Sequence, residues 1–397
     1  MSRRIVEVFN RYAFYGGEEK VADQIAGHLT QDHELLRCGF DSREWMGEGA
    51  PGKLSQVRRL FYNGESRERF EAAVREFKPE VAMFHNVYPV GSPSLYHAAQ
   101  LKGLPVVQYV HNFRPFSVGG SLYLKGKLMP GALKGSFWPE VLNGAWQGSV
   151  LKSALMALAL KRLRTSGWLD QVKVWVCISE FMRDRFAEAG IDERRLVVLK
   201  HAWEPKVVET GMAEEGDGYL FLGRLVEEKG VRVLLEAWER LWKEMGEATP
   251  ELWIGGEGPL EDEVRAAAAG NPRVRYLGML AGDEKSRRLR ECRALLAPSV
   301  WWEPLGLVVY EAYEAGRPVL AAASGGLTET VKDGVTGWLH PAGDVGALVD
   351  SVRAMEQIGE EGRSTMGREG RKWLEANTGV EGWKREMALI LEKAIEG

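Results

Sequence analysis

Short apolar runs of strand length alternate with longer amphipathic segments from one end of the 397-residue chain to the other. This alternation is typical of parallel sheets whose strands are connected by helices, so the predicted fold class is α/β. In the first half the pattern predicts strands at 4–9, 81–85, 105–110, 173–178 and 196–199. After the first strand, Val21, Ile25 and Leu29 repeat every four residues, which predicts a helix that begins near Gly17.

A polar stretch interrupts this pattern near the middle of the chain. Residues 203–218 include Pro205 and three glycines and show little apolar periodicity, which favours a linker. The pattern then restarts, with strands predicted at 219–222, 252–254, 274–277, 294–297, 318–322 and 338–339. We therefore predict two doubly wound, Rossmann-like domains facing a cleft, at 1–204 and 205–378. Residues 379–397 should form a helix whose docking site the sequence does not reveal.

Composition and charge exclude several classes of protein. Apolar residues make up 45% of the chain and charged residues 27%, which is the balance of a folded, soluble protein. The net charge of −4 provides no overall field for holding nucleic acid. The three cysteines are widely spaced and form no C-x-x-C pair, so they predict neither a disulfide framework nor a zinc site. They fit a reducing cytoplasm.

The apolar segments are too short or too charged to act as targeting or membrane-spanning segments. The first one, Ile5 to Phe9, falls short of the apolar core of a signal peptide. The most hydrophobic later stretch, 151–163, contains Lys152, Lys161 and Arg162, whereas a bilayer span needs roughly 20 apolar residues. We therefore expect a cytoplasmic protein without a transmembrane helix.

The segment 299–326 carries the strongest pattern for binding chemistry. Glu303 lies in the loop after a predicted strand, and a helix should run from about residue 306 to 315. The first backbone N–H groups of this helix have no partner within it, so they form a natural seat for a phosphate; they belong to Gly306, Leu307 and Val308. Glu311 shares the helix face of that seat. Isolated glutamates are usually solvent-facing, but a pair on either side of a phosphate seat favours a binding site.

Two further turns follow predicted strands in the same half. Gly223 ends one strand, and Arg224 and Lys229 follow it, where both cations can meet on one diphosphate. The turn GGEGPL, with Gly255 and Gly258, follows the next strand and would allow a nucleotide to approach the backbone closely. Each turn alone is a weak signal, and a solvated charged loop is the ordinary alternative. The combination with the 299–326 segment is more specific.

These motifs together resemble the nucleotide-sugar-binding domain of family 4 glycosyltransferases, which have the two-domain GT-B fold. The resemblance rests on E-x7-E within EPLGLVVYE, on GRLVEEKG and GGEGP before it, and on GRPVLAAASGGLTETVKDGVTGWL after it. It is dense over 218–348 and thinner in the first half, where FYGGEEKVADQIAGHL, QYVHNFRP and CISEFMRDRFAEAG are similar to family segments. The family's asparagine-glycine turn after the strand at 196–199 is replaced by KHAWEP, around His201.

The resemblance implies a reaction and roles for the second half of the chain. It implies that a sugar moves, with retained anomeric configuration, from a nucleotide diphosphate sugar to an acceptor hydroxyl. Among possible donors, a UDP-sugar is favoured over a GDP- or ADP-sugar. The expected role is in the synthesis of a cell-surface polysaccharide or glycoconjugate. Arg224 and Lys229 would neutralise the diphosphate, Glu311 would bind the ribose and Glu303 the transferred sugar.

For the first half, the resemblance implies an acceptor-binding domain that completes the site. The Gly16–Gly17 loop would cover the phosphates, and His111 would lie beside the anomeric carbon. We expect no cofactor and no metal, because the sequence has no D-x-D pair and Arg224 with Lys229 can supply the positive charge. Glu18 and Glu19 are interpreted as first-turn glutamates that favour the helix dipole, without a chemical role.

Residues 121–167 stand out by charge, with seven basic residues and one acid, a local charge of +6. Leu151, Leu155 and Leu158 repeat beside the basic residues and predict an amphipathic helix, widened by Met156, Leu160 and Leu163. Such a helix fits contact with an anionic membrane or a lipid-linked acceptor. The alternative is that the leucines belong to the core and the charges form a solvated face.

Three other functions compete with the transferase. A nucleotide-sugar epimerase can share the two-domain fold, and a non-catalytic scaffold would bind the nucleotide without turnover. A dinucleotide-dependent dehydrogenase fits poorly, because no G-x-G-x-x-G follows the first strand. The sequence does not identify the sugar, the base or the acceptor.

Overall fold

The computed structural model of the protein describes residues 2–12, 16–204 and 216–397. Its contacts divide the chain into two compact units. Unit 1 comprises Met1–Leu124, Met129–Ala202 and Val380–Gly397, and unit 2 comprises Lys125–Leu128 and Trp203–Gly379. Most of the predicted linker, residues 205–215, lies outside the described residues.

The strands and helices of the described residues follow one another in the expected alternation. The strands are β1 (Arg4–Arg11), β2 (Glu34–Asp41), β3 (Val81–Phe84), β4 (Val106–Val110), β5 (Tyr123–Leu124), β6 (Lys127–Leu128), β7 (Val172–Cys177), β8 (Leu196–Val198), β9 (Gly218–Leu222), β10 (Glu251–Gly255), β11 (Val274–Gly278), β12 (Leu295–Ala297), β13 (Val319–Ala322) and β14 (Gly337–His340). The helices are α1 (Gly17–Leu29), α2 (Lys53–Phe61), α3 (Gly64–Phe77), α4 (Ser94–Leu101), α5 (Trp138–Leu142), α6 (Val150–Thr165), α7 (Glu180–Glu188), α8 (Val231–Met245), α9 (Glu261–Gly270), α10 (Gly282–Glu291), α11 (Leu307–Glu314), α12 (Leu327–Thr330), α13 (Val345–Gln357), α14 (Gly359–Thr378) and α15 (Val380–Glu396).

Unit 1 is built on a six-stranded parallel sheet in the order β2-β1-β3-β4-β7-β8. The chain runs outward from β1 to β2 and then back past β1 to β3, so the topology switches between β1 and β3. Five of these strands match the predicted ones, and β2 was missed. β2 lies at the edge of the sheet and is only partly buried, so its apolar run is interrupted by Arg37.

Unit 2 repeats the same plan with the order β11-β10-β9-β12-β13-β14, and its topology switches between β9 and β12. All six predicted strands are present. The core between this sheet and its helices includes fully buried Tyr219 and Trp238, whose rings meet edge to face. Because both sheets are parallel and doubly wound, the predicted fold class is confirmed.

The C-terminal helix α15 belongs to unit 1, which supplies the docking site that the sequence left open. Trp383 is 3% exposed and its ring centroid lies 5.7 Å from that of His28 in α1. Lys384 pairs with Asp32 at 3.0 Å, and Lys393 donates to the backbone carbonyl of Arg194 at 2.7 Å. After completing unit 2, the chain therefore returns to unit 1.

None of the helices described is both long enough and apolar enough to cross a bilayer.

Candidate functional site

The loop between β12 and α11 in unit 2 holds the most densely bonded carboxylate of the predicted site. Glu303 is buried, and its Oε2 accepts hydrogen bonds from Lys229 Nζ at 2.7 Å, Ser299 Oγ at 2.9 Å and Trp301 Nε1 at 3.0 Å. Lys229 Nζ also lies 5.3 Å from the Trp301 ring centroid. Lys229 follows β9 and Glu303 follows β12, so their ion pair lies at the topological switch point of the sheet. Ligands of doubly wound sheets bind at such points.

A second loop, after β13, fixes the backbone of the Glu303 loop. The N–H of Gly326 donates to the carbonyl of Glu303 at 2.7 Å, and Ser324 Oγ donates to the carbonyl of Trp301 at 2.5 Å. A Cβ at Gly325 would lie 2.2 Å from the Glu303 carbonyl oxygen, so only glycine permits this approach. Sequence reasoning gave these residues no role, although a Gly-Gly pair after a strand was a usable signal.

Helix α11 begins at Leu307, one residue after the predicted start. Gly306 caps it with φ +85°, a left-handed conformation that favours glycine. The helical bonding begins with Val309 N–H to the Gly306 carbonyl at 2.9 Å, which leaves the preceding amides without a partner in the helix. They are the predicted phosphate seat: Gly306, Leu307 and Val308.

Glu311, on the same helix, is paired with a lysine that sequence reasoning missed. Its Oε2 lies 2.7 Å from Lys285 Nζ in α10, and the two side chains are 16% and 29% exposed. Lys285 lies within a highly charged helix, where spacing alone does not distinguish it from its neighbours. Lys285 thus compensates the charge of the Glu311 carboxylate, which lies about one helical turn beyond the predicted phosphate seat.

Arg224 and the glycines of the predicted nucleotide-binding turns make contacts within unit 2 itself. Arg224 is 74% exposed and contacts Glu228 at 3.2 Å, so the two predicted cations have different partners. A Cβ at Gly258 would lie 2.6 Å from the carbonyl oxygen of Leu225, because this turn packs on the loop after β9. The Gly223 N–H donates to the Gly255 carbonyl at 3.1 Å. These glycines therefore have a packing role within unit 2.

The glycine loop of unit 1 leads into α1, which begins at Gly17 as predicted. Glu19 is 2% exposed and accepts hydrogen bonds from the backbone N–H of Gly16 and that of Tyr12, both at 2.9 Å. It therefore joins the end of β1 to the start of the helix, which is a firmer role than the dipole effect expected of it.

Glu18 lines a small pocket together with His111, Asn112 and Arg114. Its Oε2 accepts hydrogen bonds from Tyr12 Oη at 3.0 Å and Asn112 Nδ2 at 2.9 Å. Burial, reinforced by the neighbouring charge of Glu19, raises the pKa of Glu18 to about 7. Sequence reasoning gave Glu18 no chemistry, because only the tertiary contacts reveal its surroundings.

His111 follows β4 as predicted, and the structure places it in a stack of histidines. Its Nε2 lies 2.8 Å from Nδ1 of His85, which follows β3, and its ring centroid lies 5.5 Å from that of His201. Burial and these two imidazoles lower the pKa of His111 well below its ordinary value. His85 was missed because the predicted strand 81–85 included it, whereas the observed strand β3 ends at Phe84 and leaves His85 directly after it.

The KHAWEP segment, where the sequence departs from the family pattern, contributes His201 to this stack. His201 is 4% exposed, and its Nδ1 lies 3.2 Å from Tyr109 Oη. Burial lowers the pKa of His201 to about 3, so the ring is neutral at physiological pH. Across the described ranges, no group of three His, Cys, Asp or Glu side chains is placed to hold a metal ion.

The raised pKa of Glu18 predicts a pH-dependent effect of Glu18→Gln on stability. A carboxyl with a folded-state pKa of about 7, against an ordinary 4.5, binds its proton more tightly in the folded state. Wild type therefore loses stability as pH rises through this window, and Glu18→Gln does not. The melting temperature of the variant minus that of wild type should increase between pH 5 and pH 8. Exposed Glu34→Gln is the control, and a pH-independent difference for Glu18→Gln would refute the assignment.

Two family profiles match the chain in tandem. The profile described as Glycosyltransferase Family 4 matches residues 15–203, and the one described as Glycosyl transferases group 1 matches residues 216–357. The chain is 35% identical over 147 residues to a phosphatidyl-myo-inositol mannosyltransferase of Mycobacterium leprae, covering 36% of this chain and 38% of the relative. The chain thus aligns with well under half of the length of that curated relative.

Solved structures share the fold over the whole chain at low identity. HepE from Anabaena, in complex with UDP and glucose, has a TM-score of 0.70 at 15% identity, covering 98% of this chain and 99% of that one. Sucrose-phosphate synthase from Thermosynechococcus elongatus has a TM-score of 0.70 at 16% identity, covering 98% of each chain. With the two adjoining family matches, the protein belongs to the family 4 glycosyltransferases of GT-B fold.

Proposed function

We propose that the protein transfers a sugar, with retention of anomeric configuration, from a nucleotide diphosphate sugar to an acceptor hydroxyl. The observation that carries this proposal is the Lys229–Glu303 ion pair beside the first amides of α11, which have no partner within that helix. A lysine and a helix N-terminus suit a diphosphate, and a carboxylate suits sugar hydroxyls. HepE was solved with UDP and with UDP-glucose, which supports UDP as the nucleotide.

The charges of unit 2 suit the charge that develops during transfer. As the bond from the anomeric carbon to the diphosphate breaks, the departing oxygen keeps the electron pair and the sugar ring becomes positive. The acceptor oxygen then bonds to the anomeric carbon, and its proton goes to the departing diphosphate. Lys229 and the α11 amides stabilise the negative diphosphate more in the transition state than in the ground state.

The remaining residues have auxiliary roles in this proposal. Arg224 is exposed and only weakly held by Glu228, so it can turn to the diphosphate at little cost. Glu311 would accept hydrogen bonds from the ribose hydroxyls while Lys285 balances its charge. With these cations present, the proposal requires no metal ion. The contacts of Gly16, Gly17 and His111 with the sugar donor stay predictions.

Two glutamate variants should separate nucleotide binding from turnover. Glu311→Gln should weaken UDP binding by about tenfold or more, because hydrogen bonds to charged groups contribute about 1.5–3 kcal/mol. Glu303→Gln should leave UDP affinity within about threefold and instead impair UDP-glucose turnover, because its proposed partner is the sugar. Isothermal titration with UDP, in EDTA and in magnesium, measures the first effect.

Several outcomes would contradict this assignment of roles. Equal losses of UDP affinity in both variants would show that Glu303 and Glu311 do not contact different parts of the donor. Binding that requires magnesium would overturn the metal-free site. Isomerisation of the nucleotide sugar without an acceptor would favour an epimerase, and binding without any turnover would favour a scaffold.

We also propose that unit 1 contacts an anionic membrane and that the acceptor is lipid-linked. α6 buries Met156, Leu160 and Leu163 but exposes 70% of Leu151 and 55% of Leu158, so the predicted stripe is divided between core and surface. α5, which packs on α6, exposes 70% of Trp138 and 67% of Leu142. Exposed bulky apolar residues on two adjacent helices are typical of an interaction surface.

The charges around this surface favour anionic lipid over a protein partner. Lys152, Lys161 and Arg162 are exposed on α6, whereas Glu140, the one acid of the basic segment, is 2% exposed. Arg164 is a different case, because it donates to the carbonyl of Leu133 at 3.0 Å and packs over Phe116. Arg164 therefore stabilises the fold of unit 1, and we do not count it among the residues proposed to contact the membrane. The name of the mycobacterial relative includes a phosphatidyl-inositol lipid.

Vesicle binding tests the membrane proposal. Wild type should co-sediment with phosphatidylglycerol-containing vesicles at low salt, and neither with neutral vesicles nor at high salt, since each basic side chain contributes about 1 kcal/mol before screening. The triple change of Lys152, Lys161 and Arg162 to Gln should abolish this, as should Leu151→Ser with Leu158→Ser. Changing exposed Lys243, Arg287 and Lys372 of unit 2 to Gln removes the same number of positive charges and is the control. Equal sedimentation of wild type and triple variant would show that this surface of α6 does not contact the membrane.

A further inference from the structure

We propose that Glu7, acting through His85, is a positioning residue that fixes the proton of His111 on Nε2 and leaves Nδ1 as a hydrogen-bond acceptor. His111 would then bind a hydroxyl group of the sugar or of the acceptor. The functional part of this inference rests on the proposed transferase activity. The part that concerns the proton on His111 stands on unit 1 alone.

The three side chains form a continuous line across three neighbouring strands. Glu7 lies in β1, His85 follows β3 and His111 follows β4, and these strands are adjacent in the sheet. Glu7 Oε1 lies 3.3 Å from His85 Nε2, and His85 Nδ1 lies 2.8 Å from His111 Nε2. Both of these atoms are buried and have no other hydrogen-bond partner among the described residues, so their mutual contact can satisfy both. We call this line the Glu7–His85–His111 relay.

The charges around Glu7 balance when His85 is neutral and carries a single ring proton. Glu7 is 1% exposed, and its Oε2 is paired with Arg37. Arg37 also pairs with Asp23 at 2.7 Å, and Asp23 pairs with Arg11 at 2.8 Å. Two acids thus face two arginines. A cationic His85, itself 2% exposed, would add an uncompensated buried charge, which is strongly unfavourable.

This balance determines which ring nitrogens carry protons. A neutral His85 beside a carboxylate places its proton on Nε2, because Glu7 Oε1 only accepts hydrogen bonds. His85 Nδ1 then carries a lone pair, and the 2.8 Å contact requires His111 Nε2 to donate to it. His111 is neutral, since burial and the neighbouring imidazoles lower its pKa. Its remaining nitrogen, Nδ1, therefore carries a lone pair.

The free lone pair determines what His111 can bind. Nδ1 of His111 has no hydrogen-bond partner among the described residues, and the ring lines the pocket with Glu18 and Asn112. An acceptor nitrogen binds a hydroxyl proton and repels a phosphate oxygen. The relay therefore makes His111 selective for hydroxyl groups. Without it, the opposite tautomer would present an N–H that prefers oxyanions.

Glu7→Gln should reverse both tautomers while hardly changing the shape of the site. Arg37 only donates, so it will hold the amide oxygen of the new side chain and turn the amide NH₂ towards His85 Nε2. His85 must then carry its proton on Nδ1 and donate to His111 Nε2. His111 should in consequence carry its proton on Nδ1. Replacing one oxygen of Glu7 by an NH₂ group would thus change the tautomer of His111, at the other end of the relay.

NMR of ¹⁵N-histidine-labelled protein without any substrate measures this directly. The chain has seven histidines, and a His111→Gln variant assigns the His111 signals. At pH 8 we expect one His111 tautomer in wild type, protonated on Nε2, and the other in Glu7→Gln. Tyr109→Phe is the control, because it removes the 3.2 Å contact with His201 from the same cluster and leaves the relay intact. His85→Asn offers an acceptor oxygen in place of Nδ1 and should keep the wild-type His111 tautomer.

The same variants separate this inference from the proposed function. An unchanged His111 tautomer in Glu7→Gln, or a wild-type His111 already protonated on Nδ1, would overturn the relay. With UDP-glucose as the probe, Glu7→Gln should lower kcat by about tenfold and leave UDP affinity unchanged, and His85→Asn should retain more activity than His85→Leu. A reversed tautomer with unaltered turnover would keep the relay but refute the proposed contact of His111 with the reacting groups.

Discussion

The ion pair between Lys229 and Glu303 is the interaction on which the geometry of unit 2 depends. It ties the loop after β9 to the loop after β12, and the hydrogen bond from Gly326 to the Glu303 carbonyl adds the loop after β13. Because β9, β12 and β13 are neighbours in the sheet, three adjacent strand ends are fixed together. Because α11 follows the loop after β12, these contacts also fix the position of its N-terminus. Loss of one partner would leave a partly buried charge uncompensated.

The apolar pattern predicted most of the fold because parallel strands in doubly wound sheets are buried on both faces. Such strands appear in the sequence as continuous apolar runs, as in β9, β12 and β13 of unit 2. β2 escaped prediction because it is an edge strand whose residues, including Arg37, are partly exposed. The docking of α15 escaped for another reason. Its apolar face with Trp383 predicts burial but contains no information about which domain covers it.

The strand-end rule selected Glu303 and His111 as candidates because ligands of doubly wound sheets bind at the ends of strands, and Glu311 was selected because it shares a helix face with the amides after Glu303. It did not find Lys285 or His85, which act through partners 26 residues away in the sequence. Such pairs form only when helices and strands assemble, so spacing along the chain does not encode them. A buried carboxylate such as Glu7 inside an apolar strand is a sequence signal that remained unused.

We propose that unit 2 recognises the diphosphate of a nucleotide through the charge of Lys229. Isothermal titration of UDP and of uridine into wild type and Lys229→Met tests it most directly, with Lys243→Met as a control for an exposed lysine of the same unit. Lys229→Met should weaken UDP binding by about tenfold or more and leave the affinity for uridine unchanged, because only UDP carries the diphosphate. Equal affinities of wild type and variant for UDP, or an equal loss for both ligands, would contradict it.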